Sequence, residues 1–240
     1  MTQPHISMPS ASHPHVIGLT GPIECGKDTV AGLLQIHANG YTLAFADALR
    51  QEIVDAFGID PSMLTQRETK EHPMSALALH RCLDHAFVAR MVAHYRSGLH
   101  DGGIEGEALD LSAPRSPRQV MQWWGTEYRR NQDPCYWVVK AVAHMRLAHW
   151  LMDPPLFVLS DVRFPDEAIM VRHLGGKIWK IKRPGCGVPA GAHKSEVTGA
   201  EFAPDVIINN RHDIEHLQQM VLRSYYVMHG GAEQGSEVPA

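Results

Sequence analysis

Gly21-Pro22-Ile23-Glu24-Cys25-Gly26-Lys27-Asp28-Thr29 decides how this chain folds. A short apolar run, Val16-Ile17-Gly18-Leu19-Thr20, leads into it, and a helical pattern, Val30-Ala31-Gly32-Leu33-Leu34, leads out. Strand, glycine loop with lysine, then helix is the context in which a P-loop pattern denotes a phosphate site. Such a loop replaces the water around an anionic phosphate with fixed backbone N–H dipoles. Gly21 and Gly26 permit the close approach that a Cβ would block. The helix opening near Lys27 or Asp28 adds free N–H groups and a positive dipole end. Lys27 supplies a mobile charge for β- and γ-phosphates. The position after the lysine, where a Ser or Thr hydroxyl ordinarily meets Mg²⁺, holds Asp28, with Thr29 next. Asp28 can ligate the metal directly or through water, and Thr29 can contact the α-phosphate. The plainer alternative is a glycine loop that only caps a helix, with Asp28 favourable to its dipole.

Bulk properties narrow the field. A chain of 240 residues with 44% apolar content fits one α/β domain with inserted loops. A net charge of −4 argues against a general nucleic-acid binder. No apolar run approaches the roughly 18 residues of a membrane span. Residues 1–14 are polar, without the apolar middle of a signal peptide, and read as a disordered leader. Cys25, Cys82, Cys135 and Cys186 lie far apart, which indicates neither zinc nor a disulfide framework and points to a reducing cytoplasm. The sixteen histidines show no metal-ligand spacing.

Apolar runs at Tyr41–Ala46, Leu156–Val162, Lys177–Lys182 and Asp205–Asn209 read as further strands. Helices are expected after Asp47 as N-cap, over 75–96, from Pro117, from Pro134 with Asp133 as N-cap, over Phe164–Leu174, and through Ile214–Tyr225. Residues 97–116 read as a flexible excursion, 184–204 as a loop or lid, and 230–240 as a disordered tail. Strands alternating with helices predict a parallel α/β sheet with helices on both faces. One domain is expected over 15–229, with an acceptor-binding helical lobe at about 47–152.

Ligands of open α/β folds bind at the carboxyl ends of the strands. Asp161 falls at such an end and Arg163 follows it, an acid to hold the water shell of Mg²⁺ and a cation for phosphate; a capping Asp with a surface Arg is the alternative. Arg118 and Gln122 share a helix face, with Arg129 and Arg130 further on. Arginine grips phosphate in bidentate fashion, which suits an acceptor phosphate. Trp123, Trp124 and Trp137 can stack on a base, although core packing is the expected role of at least two. Lys194, within His193-Lys194-Ser195-Glu196, is placed to touch phosphates from a lid.

Together these segments resemble the deoxynucleoside monophosphate kinase family of tailed bacteriophages. The resemblance rests on Gly26-Lys27-Asp28-Thr29, Phe45-Ala46-Asp47-Ala48-Leu49-Arg50, Arg118-Gln119 through Gly125-Thr126-Glu127 to Arg130 and Trp137, Ser160 to Ala168, and His193 to Glu196. It implies a P-loop kinase fold, ATP and Mg²⁺ as cofactors, and transfer to a deoxynucleoside 5′-monophosphate, with the diphosphate feeding DNA synthesis. Carried over by position, Gly21, Glu24, Cys25, Gly26, Lys27, Asp28 and Thr29 hold the donor, and Asp28 and Asp161 serve the metal. Lys27, Asp161, Arg163 and Arg130 act in catalysis. Asp47, Arg50, Arg118, Gln122, Trp137, Glu167 and Lys194 face the acceptor. The implied partners are small molecules, with no nucleic acid or membrane, and a homodimer is one open arrangement. Two rivals stand beside this reading. A dephospho-coenzyme A kinase shares the opening Ile17-Gly18-Leu19-Thr20-Gly21 but fits Asp28 and Asp161-Val162-Arg163-Phe164 poorly. A non-catalytic nucleotide switch would want an Asn-Lys-x-Asp motif, which Asn209-Asn210-Arg211-His212-Asp213 does not supply.

Overall fold

A computed structural model describes residues 14–66, 68–98, 103–187 and 202–228. Five strands form one sheet: β1 (His15–Thr20), β2 (Gly40–Leu43), β3 (Leu156–Leu159), β4 (Lys177–Lys182) and β5 (Val206–Asn209). They lie in the order β2-β3-β1-β4-β5, and every pairing is parallel. The central strand is β1, so the loop that follows it emerges at the middle of the carboxyl edge. Side chains alternate between two cores, as strands buried on both faces require. Val16, Phe157, Leu159 and Ile178 join one core; Ile17, Leu19, Val158, Trp179 and Ile181 join the other.

Helices α1 (Lys27–Ala38) and, near the C-terminus, α8 (Ile214–Met228) cover the second core. The first core is larger and gathers α2 (Phe45–Phe57), a short α3 (Ser62–Thr65), α4 (His85–Arg96), α5 (Pro117–Gln122), α6 (Tyr136–Met152) and α7 (Pro165–His173). The expected parallel sheet with helices on both faces is what the chain adopts. Between β2 and β3 the described elements are helices, with a single antiparallel bridge pairing Met74 and Arg115. No described helix is long and apolar enough to cross a membrane.

Several local expectations are corrected. Helix α2 begins at Phe45, two residues before Asp47: the Asp47 carboxylate reaches back to accept from Ala44 N at 2.7 Å, closing the first turn from inside. The single long helix expected over 75–96 is two 3₁₀ turns, Ser75–Leu77 and Leu79–Arg81, followed by α4. Asp84 breaks the run by capping α4, its carboxylate accepting from Phe87 N at 2.9 Å. Asp133 and Pro134 form a turn before α6 rather than its first residues, with Cys135 as N-cap. Where described, 103–116 is no free excursion. Leu109 and Leu111 pack on the core, and Leu111 O accepts from His80 N at 3.0 Å. Helix α5 runs straight into a π-helical stretch, Trp123–Arg130, whose wider turn lets the adjacent Trp123 and Trp124 both be buried.

Candidate active site

Because all strands point the same way, five strand ends deliver their following residues to one edge. After β1 comes the glycine loop, in which Gly21 (φ +145°), Glu24 (φ +64°) and Gly26 (φ +104°) hold conformations that curl the backbone. A Cβ on Gly21 would stand 2.5 Å from Ile181 O, and one on Gly26 would stand 2.6 Å from Asn210 Nδ2. Both positions therefore require glycine. Asn210, just past β5, donates from Nδ2 to Cys25 O at 2.9 Å and braces the loop. Lys27 folds over the loop, its Nζ donating to Gly21 O at 2.8 Å and Pro22 O at 2.7 Å. Burial holds this ammonium below its ordinary pKa and nearby Arg163 adds to the effect, while Cys25, Asp28 and Asp161 oppose it. Glu24, Gly26, Lys27, Asp28 and Thr29 with Arg183, which follows β4, wall a concave space of about 640 Å³.

A second cleft of about 710 Å³ lies under the helices of the first core. Its walls combine Phe45, Leu49, Met121 and Trp137 with Gln122 and Thr126, and with Lys70, Arg118, Arg130 and Arg163. Lys70 is half-hidden among cations. Burial, then Arg118, Arg163 and Arg50, all push its pKa down, and only Glu71 opposes them. Glu71 itself is paired with Arg118. Such crowding of like charge is a standing demand for an anion.

The sequence-predicted residues divide four ways. Glu24, Gly26, Lys27, Asp28 and Thr29 stand together in the first space, while Gly21 does not line it and Cys25 is buried beneath the loop; Arg118, Gln122, Trp137, Asp161, Arg163, Arg130 and Glu167 line the second. Asp47 and Arg50 are bound to each other at 2.7 Å and are not among the cleft walls. Lys194 lies outside the described residues. Two of the cleft residues are heavily engaged. The Asp161 carboxylate accepts from Phe45 N at 2.7 Å and Ala46 N at 3.1 Å, so it caps α2 across the sheet. Arg130 donates to both Asp166 oxygens at 2.8 Å and to Glu167 Oε1 at 2.6 Å, and it stacks over Phe164 with its guanidinium carbon 3.7 Å from the ring centre. Glu167 in turn accepts from Arg163 N at 2.7 Å and Phe164 N at 3.1 Å. Burial pushes the Glu167 carboxyl up to about 8, against the pull of Arg130 and these two backbone donors. The chain Arg130–Glu167–Arg163 fixes where the Arg163 backbone leaves β3.

Lys70, Arg183 and Asn210 escaped the sequence reading. Lys70 sits in a stretch without periodicity, tied to α5 by Arg118 N donating to Lys70 O at 3.0 Å. Arg183 and Asn210 carried a usable signal, since each is the first residue past a strand. Trp123, Trp124 and Trp137 are all buried in the first core; Trp124 donates to Glu52 at 2.9 Å, and Trp137, which also edges the cleft, donates to Gly125 O at 3.1 Å.

A parallel sheet with a glycine loop and lysine after its central strand, and a cationic cleft beside that loop, defines the class: a P-loop nucleotide kinase, a phosphotransferase. Residues 83–221 match the family described as deoxynucleotide monophosphate kinase. A protein of Acanthamoeba polyphaga mimivirus, named "Putative deoxynucleotide monophosphate kinase", is 31% identical over 219 residues, which cover 86% of this chain and 94% of the viral one. The chain belongs to the deoxynucleotide monophosphate kinase family.

Proposed function

We propose that this chain transfers the γ-phosphoryl group of ATP to the 5′-phosphate of a deoxynucleoside monophosphate, giving the diphosphate for DNA synthesis. One observation carries the reading: the glycine loop and the cationic cleft open at the same carboxyl edge of the sheet, near enough that Lys27 feels the charges of Arg163 and Asp161. The loop takes the donor. The cleft takes the acceptor, its phosphate toward Lys70, Arg118 and Arg163 and its base toward Phe45, Met121 and Trp137, with Gln122 and Thr126 offering polar contacts to the base edge. The helices between β2 and β3 act as the acceptor lobe.

An oxygen of the acceptor phosphate, already anionic near neutral pH, attacks the γ-phosphorus in line. The new O–P bond forms as the bond from the γ-phosphorus to the β,γ-bridging oxygen breaks, and ADP leaves with that oxygen. Little general-base help is needed, so the work is positioning and charge stabilisation. Lys27 exchanges its two carbonyl partners for phosphate oxygens and follows the charge onto the leaving group. Arg163, aimed by Glu167, bridges the two phosphates. Arg130 positions Glu167 and does not itself meet the substrate. Asp161 holds the α2 amino end, and with it Phe45, against the cleft. The oxygen donors of Asp28 and Thr29 suit a hard cation. Mg²⁺ arriving with the triphosphate would be held there, with Asp161 as an outer partner, and supplies charge neutralisation when bound.

The test is ADP release from ATP with dAMP, dGMP, dCMP, dTMP, their ribose forms and dephospho-coenzyme A as acceptors. Release with one or more deoxynucleotides is expected. Release with dephospho-coenzyme A alone overturns the reading.

A further inference from the structure

Carboxylates stand in and beside the cationic cleft, and Glu71 differs from the rest. Asp161 accepts from Phe45 N and Ala46 N, and Glu167 accepts from Arg130 and from the Arg163 and Phe164 amides. Asp47 accepts from Ala44 N and Arg50. Each of these is committed to backbone that shapes the site. Glu71 instead accepts from Nε of Arg118, a wall of the cleft, and its own side chain is 59% exposed. It belongs to a turn that His72 N closes on Thr69 O at 3.0 Å. That turn is fixed by backbone alone: Arg118 N donates to Lys70 O at 3.0 Å, and Met74 N donates to Arg115 O at 2.9 Å. The Glu71 side chain is therefore able to leave Arg118 without moving the turn or α5.

We propose that Glu71 is a resident counter-ion: it occupies Arg118 while the cleft is empty, and the 5′-phosphate of the acceptor displaces it. This rests on the reading of the cleft as the acceptor site. The charge balance argues for it. Lys70, Arg118 and Arg163 wall one cleft, and cations so gathered draw small anions from solution. Glu71 offsets them, opposing the effect of Arg118, Arg163 and Arg50 on Lys70. An ion pair this exposed is weakly held. A phosphate, able to meet a guanidinium in bidentate fashion, takes its place. The incoming anion must still overcome repulsion from Glu71. A nucleotide has further contacts with Phe45, Met121 and Trp137, whereas inorganic phosphate has its charge alone. Glu71 thus raises the concentration at which any anion fills the cleft, and inorganic phosphate stays out where a nucleotide enters. If Glu71 were instead a strut that aims Arg118, its loss would weaken phosphate binding, so the sign of the effect separates the two roles.

Isothermal titration calorimetry with inorganic phosphate tests this, the glycine loop being filled by Mg²⁺ and a non-hydrolysable ATP analogue so that only the cleft is read. Glu71→Gln keeps an oxygen for Arg118 Nε and removes the charge; Glu71→Ala removes both. Each should bind phosphate about three- to fivefold more tightly than the wild type, the worth of one exposed ion pair. The gain should shrink as ionic strength rises. In turnover, KM for a deoxynucleotide acceptor should fall by a similar factor, with KM for ATP within about twofold of the wild type. Phosphate binding that is unchanged or weaker in both variants overturns the proposal, as does the absence of saturable phosphate binding in all three proteins. An acceptor KM that rises in both variants makes Glu71 a strut and overturns it too. A wild type that transfers to no deoxynucleotide overturns the proposed function instead, and the phosphate titration, which needs no turnover, still decides the role of Glu71.

Discussion

Replacing Arg130 with Met removes a guanidinium only 11% exposed and leaves Glu167, whose side chain is 3% exposed, without its cation. Three carboxylate contacts of 2.6 to 2.8 Å are lost, together with a bond from Nη1 to Pro134 O at 3.2 Å, while Met still fills the space over Phe164. Breaking a buried pair from one side costs about 3–5 kcal/mol once the remaining group is charged, here above about pH 8, and less below it. For a chain of this size that lowers Tm by about 6–20 °C. The sign of the pH dependence follows from burial. The folded Glu167 carboxyl stands at about 8, above the 4.5 of a free carboxyl, so the folded state binds the extra proton. Stability therefore falls as pH rises between those values. Arg130 opposes the shift, so its removal pushes the folded value higher. Urea unfolding curves of wild type and variant should run parallel below about pH 8 and diverge above it, where the wild type levels off and the variant keeps falling. Adding Glu167→Gln to the variant should restore at least about 1 kcal/mol and abolish the divergence. Turnover per folded molecule at 20 °C should fall less than about tenfold, since Arg130 acts through Glu167. A loss below about 1 kcal/mol, or a deficit that shrinks as pH rises, refutes the reasoning.

Lys70→Met should raise KM for the acceptor about 10- to 100-fold, one charge-assisted contact, and leave KM for ATP within about twofold; equal effects on both substrates would remove Lys70 from the acceptor side. Gly26→Ala puts a Cβ against Asn210 at a left-handed φ, so ATP binding measured calorimetrically should weaken by at least about 100-fold with little change in circular dichroism. Burial pushes the Cys82 thiol up to about 11 and raises that of Cys25, while Cys135 is exposed. Iodoacetamide near pH 8 should therefore label Cys135 first and spare Cys82 until denaturant is added, as read by mass spectrometry.

The central strand, glycine loop and first helix were legible because a P-loop is local: its glycines, lysine and flanking periodicity lie within one stretch of chain. The sheet was legible because strands buried on both faces read as apolar runs. Less legible was what side chains do beyond their own segment. Asp161 stands past a strand end and lines the cleft, and its oxygens also cross to the α2 amino end. Arg130 lines the cleft too, and Asp166 and Glu167 hold it there. Lys70 has no pattern of its own, and only folding sets it among Arg50, Arg118 and Arg163. The helix expected over 75–96 failed because Asp84 bonds more strongly as a cap than as an interior residue.

Transfer of label from [γ-³²P]ATP, with the wild type and Lys27→Ala compared side by side on a deoxynucleoside monophosphate, tests the central claim most directly. Labelled deoxynucleoside diphosphate from the wild type, with transfer abolished in a folded Lys27→Ala, is the predicted result. Label appearing only as inorganic phosphate, or normal transfer by Lys27→Ala, would contradict it.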